Sequence, residues 1–191
     1  MNFDVQSVSR DIAAHRRRAQ ALVDAVSADQ LMRRPDPGKW SIAECLAHLN
    51  LTAETVQKIM VRGIAQAKQE KKFGEGPFST GAKGRLMVWI AEPPPKFRIR
   101  APKNVRPPAV IDDPHQVLPA FMKAQDEWER LMREQEGLDL GKIKVGQGIF
   151  RMRLAAALPW MMAHQRRHLL QAENVKRQIV SAASQTAAQA G

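Results

Sequence analysis

A chain of 191 residues, 44% of them hydrophobic, is long enough to bury a sizeable core and too apolar for a disordered polymer. It holds no run of about 18 apolar residues, so neither a membrane span nor a membrane partner is expected, and MNFDVQSVSRD at its start carries acids where a secretory signal has an apolar stretch. The formal charge of +11 permits attraction to nucleic acid, anionic lipid or an acidic substrate and identifies none of them, while the single Cys45 excludes an internal disulfide and fits a reducing cytoplasm.

Val5, Val8, Ile12, His15, Ala19, Leu22 and Val26 form a near-heptad stripe that predicts a first helix. DQLMRRPDPGKW then interrupts it with two prolines and a glycine. Ser41 followed by Glu44 is a capping box, so a second helix is expected to begin there. Its stripe runs through Ile42, Cys45, Leu46, Leu49, Ala53, Val56, Met60 and Ile64, and fades near Lys71. Residues 72–113 are rich in glycine and proline, which forbids a long helix, although KGRLMVWIA allows a short one. This segment is expected to cross the molecule as a long connection with Phe73, Phe78, Trp89 and Phe97 docked.

A third helix is predicted over residues 114–135 through Val117, Phe121, Ala124, Trp128 and Leu131. A fourth is predicted over residues 154–180 through Leu158, Met161, Met162, Leu169, Ala172, Val175 and Ile179. Pro159 lies early in it, as a kink or as the mark of its first turn. No strand pattern of any length is present, and SAASQTAAQAG at residues 181–191 is expected to be a flexible tail. The expected fold is all-α: one domain over residues 1–180, a four-helix bundle whose second and third helices run parallel across the long crossover.

Five histidines occupy positions 15, 48, 115, 164 and 168. In AHQRRHLLQAE, His164 and His168 lie about 40° apart around a helix and one turn from each other, so both rings can reach one ion. An open catalytic site for a transition metal calls for a third ligand. His115 follows DDP at a helix start, where exposure is expected, and the arginines after His15 disfavour a cation there. His48 lies two turns into the second helix, with Glu44 one turn before it as an acceptor for its ring N–H. That role competes with the capping box for one carboxylate. Thr52 falls near the same face, and Cys45, about 60° away, either lines the pocket or packs the core, the second being preferred. KFRIRAPKNVR at residues 96–106 carries five cations and no acid, but with one aromatic and no recognised motif it reads as a solvated face rather than a nucleic-acid surface.

GKWSIAECLAHLNLTAE resembles the W-S-x-x-E-x-x-x-H-L block of the DinB-like, YfiT-related four-helix-bundle proteins. LPWMMAHQRRHLLQAENV resembles their closing helix, with His-x-x-x-His and a following glutamine, here Gln171. The resemblance implies a metal triad of His48, His164 and His168, holding nickel or zinc first and iron or manganese next, in a cytoplasmic homodimer. Glu44, Thr52, Arg167 and Gln171 are then the pocket candidates around it. The implied activity is that of a hydrolase or thiol S-transferase on a small molecule, anionic or a low-molecular-weight thiol. The alternative is a non-catalytic stress-response or binding module whose metal site is structural or vestigial. One departure is the pair Arg166 and Arg167, where many relatives have an acid. Arg167, about 60° from His164, is either a rim group that favours an anionic substrate or a solvated arginine. Imidazole binds metal when neutral, so any metal-induced stabilisation is expected near pH 8 and should shrink as the pH falls through 6.

Overall fold

The computed structural model describes residues 2–97 and 100–189, with side chains through residue 181. Six α-helices form among the described residues: α1 (Val5–Asp24), α2 (Ala28–Met32), α3 (Ile42–Gln69), α4 (Gly81–Ala91), α5 (Val117–Glu134) and α6 (Leu154–Gln189). The starts follow local chemistry. Asp4 accepts the Gln6 N–H at α1, and Ser27 with Gln30 closes a capping box at α2. Ser41 with Glu44 closes the box expected at α3. A 3₁₀ turn over Pro114–Gln116 leads into α5, so the α-helix itself begins at Val117. Pro159 lies within the second turn of α6. The tail expected from residue 181 falls almost wholly on residues whose side chains are outside the described ones.

The four long helices make the bundle in the ring order α1–α5–α3–α6. Asn50 donates to the Val117 carbonyl and Gln57 to the Ala124 carbonyl, both 67 residues on, so α3 and α5 run parallel, as the long crossover led us to expect. Arg166–Asp11 and Arg18–Glu173 share an offset of 155, so α1 and α6 are parallel as well. Along α3 the partners on α6 run backwards, from Ile179 beside the start of α3 to Leu154 beside its end, which makes that pair antiparallel.

Two apolar clusters fill the interior. Every long helix passes from one to the other at a common level: between Ile12 and Ala19, Leu49 and Ala53, Phe121 and Trp128, and Met162 and Leu169. Buried polar side chains occupy that level, namely His15, Thr52, Gln125 and Gln165. Gln165 faces the His15 ring without closing a hydrogen bond of good geometry, and both ring nitrogens of His15 lack a partner. The histidine pair of α6 and His48 of α3 lie at the same level. A polar layer therefore separates two greasy ones, and the candidate site is set into it.

The short helix that KGRLMVWIA allows forms within the crossover as α4, which packs Gly84, Val88 and Ala91 against α6. These three lie at i, i+4 and i+7, so Leu86 and Trp89 are turned outward. Of the four aromatics expected to dock, Phe78 packs on the core, whereas Phe73, Trp89 and Phe97 are largely exposed. A short hairpin was also not anticipated: β1 (Lys144–Val145) pairs antiparallel with β2 (Met152–Arg153). Two residues per strand are too few to show alternation. No helix among the described residues is long and apolar enough to cross a membrane.

Gly84 sets how closely α4 approaches α6. A Cβ there would sit 2.5 Å from the Ala156 Cβ. Gly84→Ala is therefore expected to destabilise the protein by about 1–3 kcal/mol, despite the better helix propensity of alanine. Urea unfolding of parent and variant reads this directly, and a stabilised variant would mean that the contact relaxes without strain.

Candidate metal centre

Capping at Ser41 fixes the register of α3 and turns His48 inward, where it is 2% exposed. His164 and His168 face it from successive turns of α6, each keeping a partly exposed edge. One ring nitrogen from each of the three lies within 4.8 Å of the others. The ring centroids are 4.5 to 5.2 Å apart, and His48 Nε2 stands 3.2 Å from His164 Nε2. Two nitrogens bound at 2.0–2.1 Å to a tetrahedral zinc ion would be about 3.3 Å apart, so this pair already has the spacing a metal needs.

The outward nitrogens are anchored. His48 Nδ1 lies 2.6 Å from the Val105 carbonyl oxygen, which can only accept, so Nδ1 carries the hydrogen and Nε2 presents its lone pair to the cluster. His168 Nδ1 lies 3.0 Å from Gln171 Oε1, which as the amide is oriented accepts in the same way. Burial pushes all three imidazoles below the usual histidine range, His168 to about 3 and His164 well below 6.5. The rings also lower one another, and Arg167 adds to the effect on His164 and His168. Near neutral pH the three are uncharged, the form that ligates a metal. Indole rings flank the cluster. Trp40 lies 5.0 Å from His48 and 5.9 Å from His168, and Trp160 stacks on His164 at 5.7 Å. As a donor set, three neutral imidazoles with two fixed tautomers fit a divalent transition metal better than magnesium or calcium.

The other candidate residues are placed differently from one another. Gln171 contacts His168 as described. Glu44 does not serve His48: one oxygen accepts the Ser41 N–H, and both oxygens pair with Arg34. The capping box and that ion pair use the carboxylate fully, and the Val105 carbonyl takes the place expected for it. Thr52 turns its hydroxyl back to the His48 carbonyl at 2.8 Å, within its own helix. Arg167 is neither a solvated side chain nor a simple rim group. It donates to the carbonyls of Ile90 and Phe97 and so ties the crossover to α6. Arg166 points elsewhere, to Asp11 and Glu92. Cys45 is a core residue whose thiol is pushed up by burial, and His115 is exposed. Sequence reasoning missed Val105, Trp40 and Trp160 as neighbours of the triad. Trp160 stands one turn before His164, a spacing that could have been read.

Gln171→Leu tests the anchoring. It removes the acceptor for His168 Nδ1 and leaves the ring in place, so nickel or zinc affinity is expected to fall about 10- to 100-fold. Competition against a chromogenic chelator measures it, and an unchanged affinity would separate Gln171 from the site.

A family model described as the DinB superfamily matches residues 11–172. Among solved structures, the chain is similar to YfiT from Bacillus subtilis, described as a probable metal-dependent hydrolase with an unusual four-helix bundle topology. The two are 14% identical, with a TM-score of 0.56 over 94% of this chain and 91% of that one. At such identity the likeness shows the fold alone. No curated protein matches the sequence.

Proposed function

The chain belongs to the DinB superfamily, and on that premise we propose that His48, His164 and His168 hold one divalent metal ion, nickel or zinc before iron or manganese, in an enzyme of hydrolase type acting on a small molecule. One observation carries the reading: three neutral imidazoles from two helices converge with their nitrogens within 4.8 Å. The description of YfiT supports the reaction class. When bound, such an ion supplies Lewis acidity and lowers the pKa of a water or thiol enough to make a nucleophile near neutral pH.

The chain's own residues do the rest. The Val105 carbonyl and Gln171 hold two rings in orientation. Trp40 and Trp160 keep water from the flanks of the triad. Arg167 spends two donors on backbone carbonyls and keeps its positive charge close to His164 and His168, which favours a substrate with an anionic group. A low-molecular-weight thiol bearing a carboxylate fits that charge too, so thiol transfer is the second reading. The resemblance supports a homodimer, and the unpaired, buried Cys45 fits a reducing cytoplasm.

The test begins with elemental analysis of untagged protein purified without chelator and dialysed against nickel or zinc. About one ion per chain is expected from the convergent triad found among the described residues, and markedly less in His164→Ala. Turnover of esters, amides and thiol conjugates, with and without metal, then separates hydrolysis from thiol transfer. A metal-loaded protein that turns over none of them is a binding module, and a protein that takes up no metal ends the reading.

A further inference from the structure

The outer face of α4 and the crossover beyond it carry large apolar side chains in a strongly basic setting. Leu86 and Trp89 are 53% and 52% exposed, opposite the α4 residues that pack on α6. Phe97 is 55% exposed and belongs to the same surface. Arg167 bonds the carbonyls of both Ile90 and Phe97, and Lys96 Nζ lies 5.6 Å over the Trp89 ring. Residues 76–111 contain seven lysines and arginines against one acid, Glu92, whose carboxylate is held by Arg166. Lys83, Arg85, Arg100 and Lys103 are exposed.

We propose that this surface docks the protein on an anionic lipid membrane. Cations beside a membrane are drawn to acidic headgroups, and an indole ring settles at the level of the headgroups with its apolar body in the acyl boundary. Around the axis of α4 the exposed Leu86 and Trp89 lie between Lys83 and Arg85, so apolar anchors and cations reach one plane together. Nucleic acid would use the charge but has no use for Leu86, which neither stacks on a base nor bonds a phosphate. A second copy of the chain would bring the same cations face to face. No helix among the described residues is long and apolar enough to span a membrane, and the sequence has no long apolar run, which is why it pointed away from a membrane; docking at the surface needs neither.

Sedimentation of the full chain with vesicles tests the proposal. The expected result is binding to vesicles of equal phosphatidylglycerol and phosphatidylcholine, about ten-fold or more weaker with pure phosphatidylcholine or in high salt. Two variants with exposed substitutions, Leu86→Ser with Trp89→Ser and Lys83→Glu with Arg85→Glu, should each bind about ten-fold or more weakly, with the parent's circular dichroism and melting temperature. Failure to sediment with the anionic vesicles overturns the proposal, as does equal sedimentation with both vesicle types. Binding that the serine pair leaves unchanged would reduce it to diffuse attraction by the net charge. Tighter binding to a duplex oligonucleotide than to the anionic vesicles would assign the surface to nucleic acid. A dimer that the serine pair breaks would assign it to self-association.

Discussion

Alanine at any one of His48, His164 or His168 is expected to lower the affinity for nickel or zinc by two to three decades. Structural zinc sites with four ligands bind with about 10–16 kcal/mol, roughly 2.5–4 kcal/mol for each ligand, and each 1.4 kcal/mol is about ten-fold. The parent should therefore gain about 2.7 kcal/mol of stability from metal at 100 times its dissociation constant, and each variant almost nothing at the same concentration. The metal-free parent should still fold. Its interior holds Trp128, Phe121, Ile12, Leu31, Leu46 and Leu131 essentially out of solvent without help from an ion. This distinguishes it from a zinc finger, in which the metal supplies the folding energy. Thermal unfolding of the parent and the three variants, with metal and with chelator, reads both claims. Equal metal-induced shifts in parent and variants would dissociate the histidines from the ion. An unfolded metal-free parent would contradict the account of the core.

The parts of the molecule legible in its sequence are those written in short range. Ser41 and Glu44 lie three residues apart, and the stripe from Ile42 to Ile64 repeats every helical turn, so α3 declares its start and its buried face. His164 and His168 are separated by one turn of one helix, and their meeting with His48 follows once α3 and α6 pack antiparallel. What could not be read was chosen by tertiary contact. KGRLMVWIA is apolar nearly all round, and only the fit of Gly84 against Ala156 decides that Val88 turns in and Trp89 out. Glu44 had two roles open to it, and Arg34, from the irregular stretch before α3, settled the competition. The groups that orient His48 and hold Arg167 are backbone carbonyls, of Val105, Ile90 and Phe97. A carbonyl has no side-chain signature, so no pattern of residue types announces it.

Acid is expected to destabilise the metal-free protein from about pH 6.5 downwards, through histidine rather than carboxylate. Burial holds His15 and His168 at about 3 in the folded state, with nearby arginines acting in the same direction. The unfolded chain returns both to about 6.5. Between those values the unfolded state binds more protons, so stability is complete above 6.5 and is lost as the pH falls towards 3. At pH 5 each group costs about 2 kcal/mol, together about 4 kcal/mol, a large share of the 5–15 kcal/mol typical of a domain. His48 and His164 move in the same direction. The same shifts revise the pH range for metal. An imidazole that stays neutral in the folded protein does not surrender its lone pair at pH 6, so the metal-induced gain expected to shrink there should persist at pH 5.5. Urea unfolding from pH 8 to pH 5, with chelator and with nickel, follows both effects. His15→Leu isolates one share: its stability should fall about 2 kcal/mol less than the parent's between pH 7 and pH 5. A parent equally stable at pH 7 and pH 5 would show that the folded protein accepts these protons, and that burial does not keep the imidazoles ready for a metal.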